Sequence, residues 1–311
     1  MDISSLIQEA VWLVWRRKSF WFLGALLGVG DLLSVLGRVL LQPRSANLLR
    51  NIESLPMRVA AGEFDSYFVG YLPGVEIVGG TLALALFFLL VWLAAAWADA
   101  SLITAVSHPK PLSQSMRTGL RLLGRFIAVD ALVFLPWFVL ALLIMLLFSA
   151  AVIGSGLLAV QGRGETAVSL ITIGLICVVP LSCLLIPVSS LSIIYRLSAF
   201  RDAALLNNGA RHAVRHTWVV LRQHIGDVIL LVIFVSGGTA ILNFVLNWIT
   251  ILLAGLMAVP QRSGMLSFAG VGAVLVLVVG LLLVLLLKAI LHALASAVWT
   301  LAYQRMLEEE K

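Results

Sequence analysis

The sequence predicts an all-α, polytopic integral membrane protein with six transmembrane helices, laid out as three repeated units of an amphipathic helix and a hairpin. Three observations predict it. Of the 311 residues, 61% are apolar and 12% charged, with a mean hydropathy of +1.08; soluble domains have roughly 45–50% and about 25%. Six apolar segments reach the about 20 residues that a helix needs to cross about 30 Å of hydrocarbon. Three basic amphipathic stretches recur, each directly before an apolar segment. This composition excludes a soluble globular enzyme, a disordered chain and a fibre.

The first amphipathic stretch carries Arg16, Arg17 and Lys18 and leads into a first span at Ser19–Leu41. Fifteen residues of amphipathic sequence precede those cations and no small-residue cleavage site follows, so this span is expected to remain as an uncleaved anchor. The loop Gln42–Gly74 is polar, with Tyr67, Phe68 and Tyr71 suited to a membrane interface. It reads either as a short helix on the outer leaflet or as an irregular loop. The remaining spans are expected at Val75–Ala98, Phe126–Leu147, Val168–Ile194, Val228–Leu252 and Leu266–Leu287. Pro180 and Pro187 predict kinks in the fourth. Met265–Met306 contains no proline and reads as one helix of about 60 Å at about 1.5 Å per residue. Its inner half should project past the lipid, and so should the regions around Asp99 and Asp202.

Orientation follows from the cations. With both termini inside, the inner segments carry fourteen Lys and Arg residues and the outer loops five. The positive-inside rule therefore places both termini in the cytoplasm. Cys177 and Cys183 are six apart in one apolar run, a spacing that turns them away from each other on a helix.

The repeat is read at two sets of marks. EAVWLVWRRKSFWFLGALLG (Glu9–Gly28), MRTGLRLLGRFIAVDALVFL (Met116–Leu135) and AVRHTWVVLRQHIGDVILLV (Ala213–Val232) are similar, with Arg16, Arg125 and Arg222 at about the same place. AAWADASL (Ala95–Leu102) matches SAFRDAALL (Ser198–Leu206), aligning Asp99 with Asp202, while WTLAYQRML (Trp299–Leu307) has Gln304 there. A single membrane domain, 1–311, then divides into repeats near 1–103, 104–206 and 207–311. Hairpins of one orientation suggest parallel repeats about an axis along the membrane normal.

At FRDAALLNNGARHAVRHTWVVLRQHIGDVI and ADASLITAV…MRTGLRLLGRFI the chain resembles the membrane domain found before the catalytic domain of some bacterial glycerophosphodiester phosphodiesterases. That domain also occurs in stand-alone polytopic membrane proteins of bacteria. The resemblance implies a bacterial inner (plasma) membrane. It does not carry over phosphodiesterase activity, because the catalytic barrel of those enzymes is a separate soluble domain.

Candidate residues fall into two groups. Arg16, Arg17, Lys18, Arg117, Arg121, Arg125, Arg211, His212, Arg215, His216 and Arg222 form basic faces suited to anionic lipid headgroups or a protein partner. Asp31, Asp99, Asp130, Asp202 and Asp227 are acids in or beside spans, where charge is costly and needs a partner or a cavity. They are read as salt bridges tying spans to the inner layer, or as solute or proton sites. His212 and His216 are one turn apart, but no third ligand stands near them in sequence, and no metal or cofactor is expected anywhere in the chain. Gly24 and Gly28 predict a close helix contact, and Asn243 and Asn247 an interhelical hydrogen bond or the lining of a cavity. No Gly-x-Ser-x-Gly, phosphate-binding loop or kinase motif occurs, so no enzyme is expected. A basic groove with interleaved stacking aromatics is missing too, which argues against nucleic acid. The expected function is lipid or partner binding through a basic cytoplasmic helical layer. The alternative is a transporter with a site between the repeats.

Overall fold

The computed structural model describes residues 2–36, 74–107, 111–161, 164–256 and 268–309, and these are helical with no strand among them. The helices are α1 (Ile3–Arg16), α2 (Ser19–Leu36), α3 (Gly74–Ser107), α4 (Leu112–Val160) and α5 (Gly164–Leu205). They continue with α6 (Ala210–Gln223), α7 (Ile225–Leu231), a π-helical stretch Val232–Gly237, α8 (Gly238–Gly255) and α9 (Phe268–Glu309). Six of the segments are long and apolar enough to cross a membrane, beginning at Ser19, Ala85, Leu112, Val168, Ile225 and Ala269. Their flanks leave large apolar side chains exposed along their length, such as Phe138, Met145, Ile176, Leu191 and Leu252. Water does not tolerate that much contiguous apolar surface, and lipid does. Tyr67, Phe68, Tyr71 and Arg38 lie outside the described residues.

The lengths agree with the expectation for the even spans. α3 has 34 residues and α5 and α9 have 42 each, well beyond the about 20 that cross the hydrocarbon. α9 is uninterrupted, and α5 runs through Pro180 and Pro187. The amphipathic stretches differ from the reading. Only the second continues straight into its span, as the 49-residue α4. The first is broken at Arg17, whose φ −110° and ψ 80° leave the helical region, and the third at His224, with φ −110° and ψ 33°.

The chain packs as two compact units. An N-terminal unit holds Asp2–Gly119 with Ile233–Val298, and a middle unit holds Leu120–Val232 with Trp299–Lys311. Their bounds do not follow the thirds of the sequence.

In the N-terminal unit, α1 starts at Asp2, whose carboxylate accepts the Ser4 N–H at 3.0 Å. The Ser4 hydroxyl donates to it as well, and these bonds hold the Asp2 carboxyl below its ordinary value of 3.8. Leu6, Ala10 and Val14 recur every four residues and form the buried stripe of α1. Val11, Trp12 and Trp15 stay exposed on the other side. The last turns of α3 are rich in small buried residues: Ala96, Ala98, Ala100 and Ala105. Gly119 of α4 meets them so closely that a Cβ there would lie 2.2 Å from Ser101 Oγ and 2.8 Å from its backbone N. The indole N–H of Trp97 donates to Met116 O at 2.9 Å across the same contact.

In the middle unit, Phe126 and Phe200 are fully buried and stack with centroids 4.0 Å apart. In the same unit Val220, Val228, Tyr303 and Met306 form a core with Ile194 and Leu205. Each such buried side chain contributes about 1.5–3 kcal/mol. The α5–α6 corner turns at Asn207, with φ 56°, a left-handed conformation that asparagine tolerates better than most residues. Arg125 fastens this corner by donating to Asn207 O at 3.1 Å and to its side-chain oxygen.

Candidate functional site

The strongest candidate site lies within the N-terminal unit and begins with two glycines. A Cβ on Gly24 would fall 2.0 Å from Ala289 O, and one on Gly28 would fall 3.1 Å from Lys288 Cβ. Glycine therefore lets the backbones of α2 and α9 approach closely, as the sequence pattern predicts. The approach brings Asp31 of α2 against a lysine and a histidine of α9. His292 Nε2 lies 3.1 Å from Asp31 Oδ2, and Lys288 Nζ lies 4.0 Å from it. Lys288 is fully buried and also donates to Asn247 Oδ1 of α8 at 2.8 Å. Asp31 keeps about half of its side chain exposed (49%), so the cluster is open on one side. Asn243, one turn from Asn247, has a buried Oδ1 with no hydrogen-bond partner among the described residues. A fully buried lysine in an apolar span is expensive unless paired. Here an acid and an amide face it, and the acid in turn meets the His292 imidazole. Nearby along α9, the Ser296 hydroxyl donates to Asp99 Oδ1 of α3 at 3.1 Å.

In the middle unit the acids are committed to packing. Asp202 is fully buried and accepts from Tyr303 OH at 2.9 Å and from Asn208 Nδ2 at 3.0 Å, and His216 Nδ1 lies 2.6 Å from its Oδ1. One carboxylate thus joins α5, α6 and the end of α9. Asp130 forms an ion pair with Arg196 through Oδ1 to Nε and Oδ2 to Nη2 (3.1 Å). The Arg196 guanidinium also lies over Phe200 at 4.5 Å, a cation–π contact. Asp227 sits in the first turn of α7, 4.0 Å from His224.

The basic residues divide. Arg16, Lys18, Arg117, Arg121, Arg211, His212, Arg215 and Arg222 are exposed. Arg16 lies over Trp12 at 4.8 Å, and Trp218 and Leu120 are exposed on the other two amphipathic stretches. Arg17 and Arg125 turn to backbone carbonyls at Ala105 and Asn207 instead. His216 corrects the sequence reading. The sequence pattern puts it with the basic lipid-facing residues, but it flanks the buried stripe Ala213, Thr217 and Val220 and turns inward to Asp202. Cys177 and Cys183 are both exposed and unbonded.

Sequence reasoning missed Lys288, His292 and Tyr303 as partners of the acids. Lys288 is a lone cation in an apolar run, a signal that could have found it; nothing local to His292 or Tyr303 gives one. No protein-family model, curated protein or solved structure matches the chain.

Proposed function

We propose that this chain is a multi-pass protein of the bacterial inner membrane, with both termini cytoplasmic, that binds anionic lipid headgroups through its basic helices. The observation that carries this reading is the pairing of exposed cations with exposed large apolar side chains on all three amphipathic stretches. These are Arg16 with Trp12 and Trp15, Arg117 and Arg121 with Leu120, and Arg211, Arg215 and Arg222 with Trp218. Indoles favour the headgroup level and cations favour the phosphates beyond it. The faces opposite are buried, so the exposed ones have no role in the core. The threefold repeat and the likeness to the phosphodiesterase-type membrane domain belong to this proposal, as does the absence of catalysis.

Each cation near an anionic surface is worth about 1 kcal/mol. Charge reversal at Arg117, Arg121, Arg211 and Arg215 together is expected to remove the enrichment of anionic over zwitterionic lipid around the purified protein. Native mass spectrometry of nanodiscs of mixed composition measures this. Unchanged enrichment would sink the reading, and loss of a co-purified protein with lipid unchanged would point to a protein partner.

A second reading is favoured by the Asp31–Lys288–His292 cluster. Charged residues within spans commonly mark ion or solute paths. On this reading the cluster carries protons across the membrane. Proteoliposomes with an entrapped pH dye are expected to show proton entry with the wild type and not with Asp31→Asn. Equal traces from both would remove it.

A further inference from the structure

The break between α6 and α7 and the last turn of α9 bring together three side chains that the function proposed above does not use. His224 Nδ1 lies 3.5 Å from Glu309 Oε2 and 4.0 Å from Asp227 Oδ2. One donor atom from each residue lies within 4.8 Å of the other two, the one such grouping of His, Cys, Asp and Glu among the described residues. We propose that His224, Asp227 and Glu309 form a binding site for a divalent transition-metal ion of the zinc type.

The frame around the three is built. Val220 and Val228 stand one turn either side of His224, and Met306 stands one turn before Glu309. All three pack into the same buried core with Tyr303. The donor atoms are therefore set on two segments whose separation is fixed by packing. Side-chain exposure rises from 15% at His224 and 25% at Asp227 to 53% at Glu309, so an ion can enter from the Glu309 side.

The chemistry of the set selects the ion. One imidazole nitrogen and two carboxylate oxygens suit zinc, and two carboxylates balance its charge. The absence of thiolate from the set argues against soft monovalent copper, and the imidazole argues against calcium and magnesium, which favour all-oxygen shells. Ligand atoms around one tetrahedral ion, at bonds of about 2.0–2.2 Å, lie about 3.3–3.6 Å apart. The His224–Glu309 separation already fits, and small rotations of Asp227 and the exposed Glu309 close the rest. Three protein ligands leave one position for water. The ion would staple the end of α9 to the α6–α7 break.

The test is a titration of tag-free, chelator-stripped, full-length protein in detergent with zinc chloride, followed by calorimetry. One equivalent is expected to bind, with affinity reduced tenfold or more in His224→Ala and in Glu309→Gln and unchanged in His212→Ala. Zinc is also expected to slow amide exchange at Arg305–Glu309 in the wild type and not in Glu309→Gln. Because Glu309 is half exposed, that variant keeps the fold and remains informative if His224→Ala does not. Three outcomes overturn the site: no saturable binding, binding as tight as the wild type's in both ligand variants, or binding lost in His212→Ala, which would put the ion on the His212–His216 pair.

Discussion

Gly24→Leu is expected to abolish the α2–α9 crossing and with it most of the stability of the N-terminal unit. The atoms that a Cβ would meet are Ala289 O at 2.0 Å, its carbonyl carbon at 2.9 Å and its Cα at 3.2 Å. All three belong to the backbone of a helix, so no rotamer change relieves the overlap and the helices must separate. Overpacking where side chains can give way costs about 1–3 kcal/mol; here about 3 kcal/mol or more is expected. Gly28→Ala meets Lys288 Cβ at 3.1 Å and is expected to be milder, about 1 kcal/mol. Gly226→Ala meets nothing within 4 Å and serves as the control. Its higher helix propensity, worth up to about 1 kcal/mol, predicts no loss. Thermal unfolding in detergent, read by tryptophan fluorescence and size exclusion, orders the three. If Gly24→Leu melts with Gly226→Ala, the close crossing is not what holds these helices.

What could be read from the sequence was local. The uninterrupted α9 was legible because forty-odd residues without proline and with a dense apolar run have no other economical form. Gly24 and Gly28 were legible because a small-residue pair at one-turn spacing has a known use. The functional cluster was half legible. Asp31 attracted notice as an acid inside a span, but its imidazole partner lies 261 residues away and nothing in the local pattern points to it. The breaks at Arg17 and His224 were missed for a different reason. Apolar periodicity runs on through both, and the change of backbone direction leaves the residue types unaltered. His216 went astray because its neighbours His212 and Arg215 are exposed, whereas its own place beside Thr217 is set by the buried stripe.

Asp31 and Lys288 are expected to be coupled in stability, and the coupling separates a structural role from a transport role. Asp31→Asn leaves a fully buried ammonium with the Asn247 carbonyl as its remaining hydrogen-bond acceptor among the described residues. Breaking a buried pair in this sense costs about 3–5 kcal/mol. The 4.0 Å separation and the half-exposed Asp31 put the expectation at the lower end. Lys288→Met removes the charge but keeps the length of the side chain, and Asp31 retains His292 at 3.1 Å. Its cost is expected to be about 1–3 kcal/mol, chiefly the stranded Asn247 acceptor. The double variant is expected to be more stable than Asp31→Asn alone, because no buried cation is left without an acid. A double-mutant cycle on thermal unfolding measures that recovery, and simple additivity would show that the two residues do not interact. Proton entry in proteoliposomes then decides what the pair is for. A double variant that folds and passes no protons makes the charges themselves the path. One that folds and behaves as the wild type does confines Asp31 and Lys288 to holding α2, α8 and α9 together.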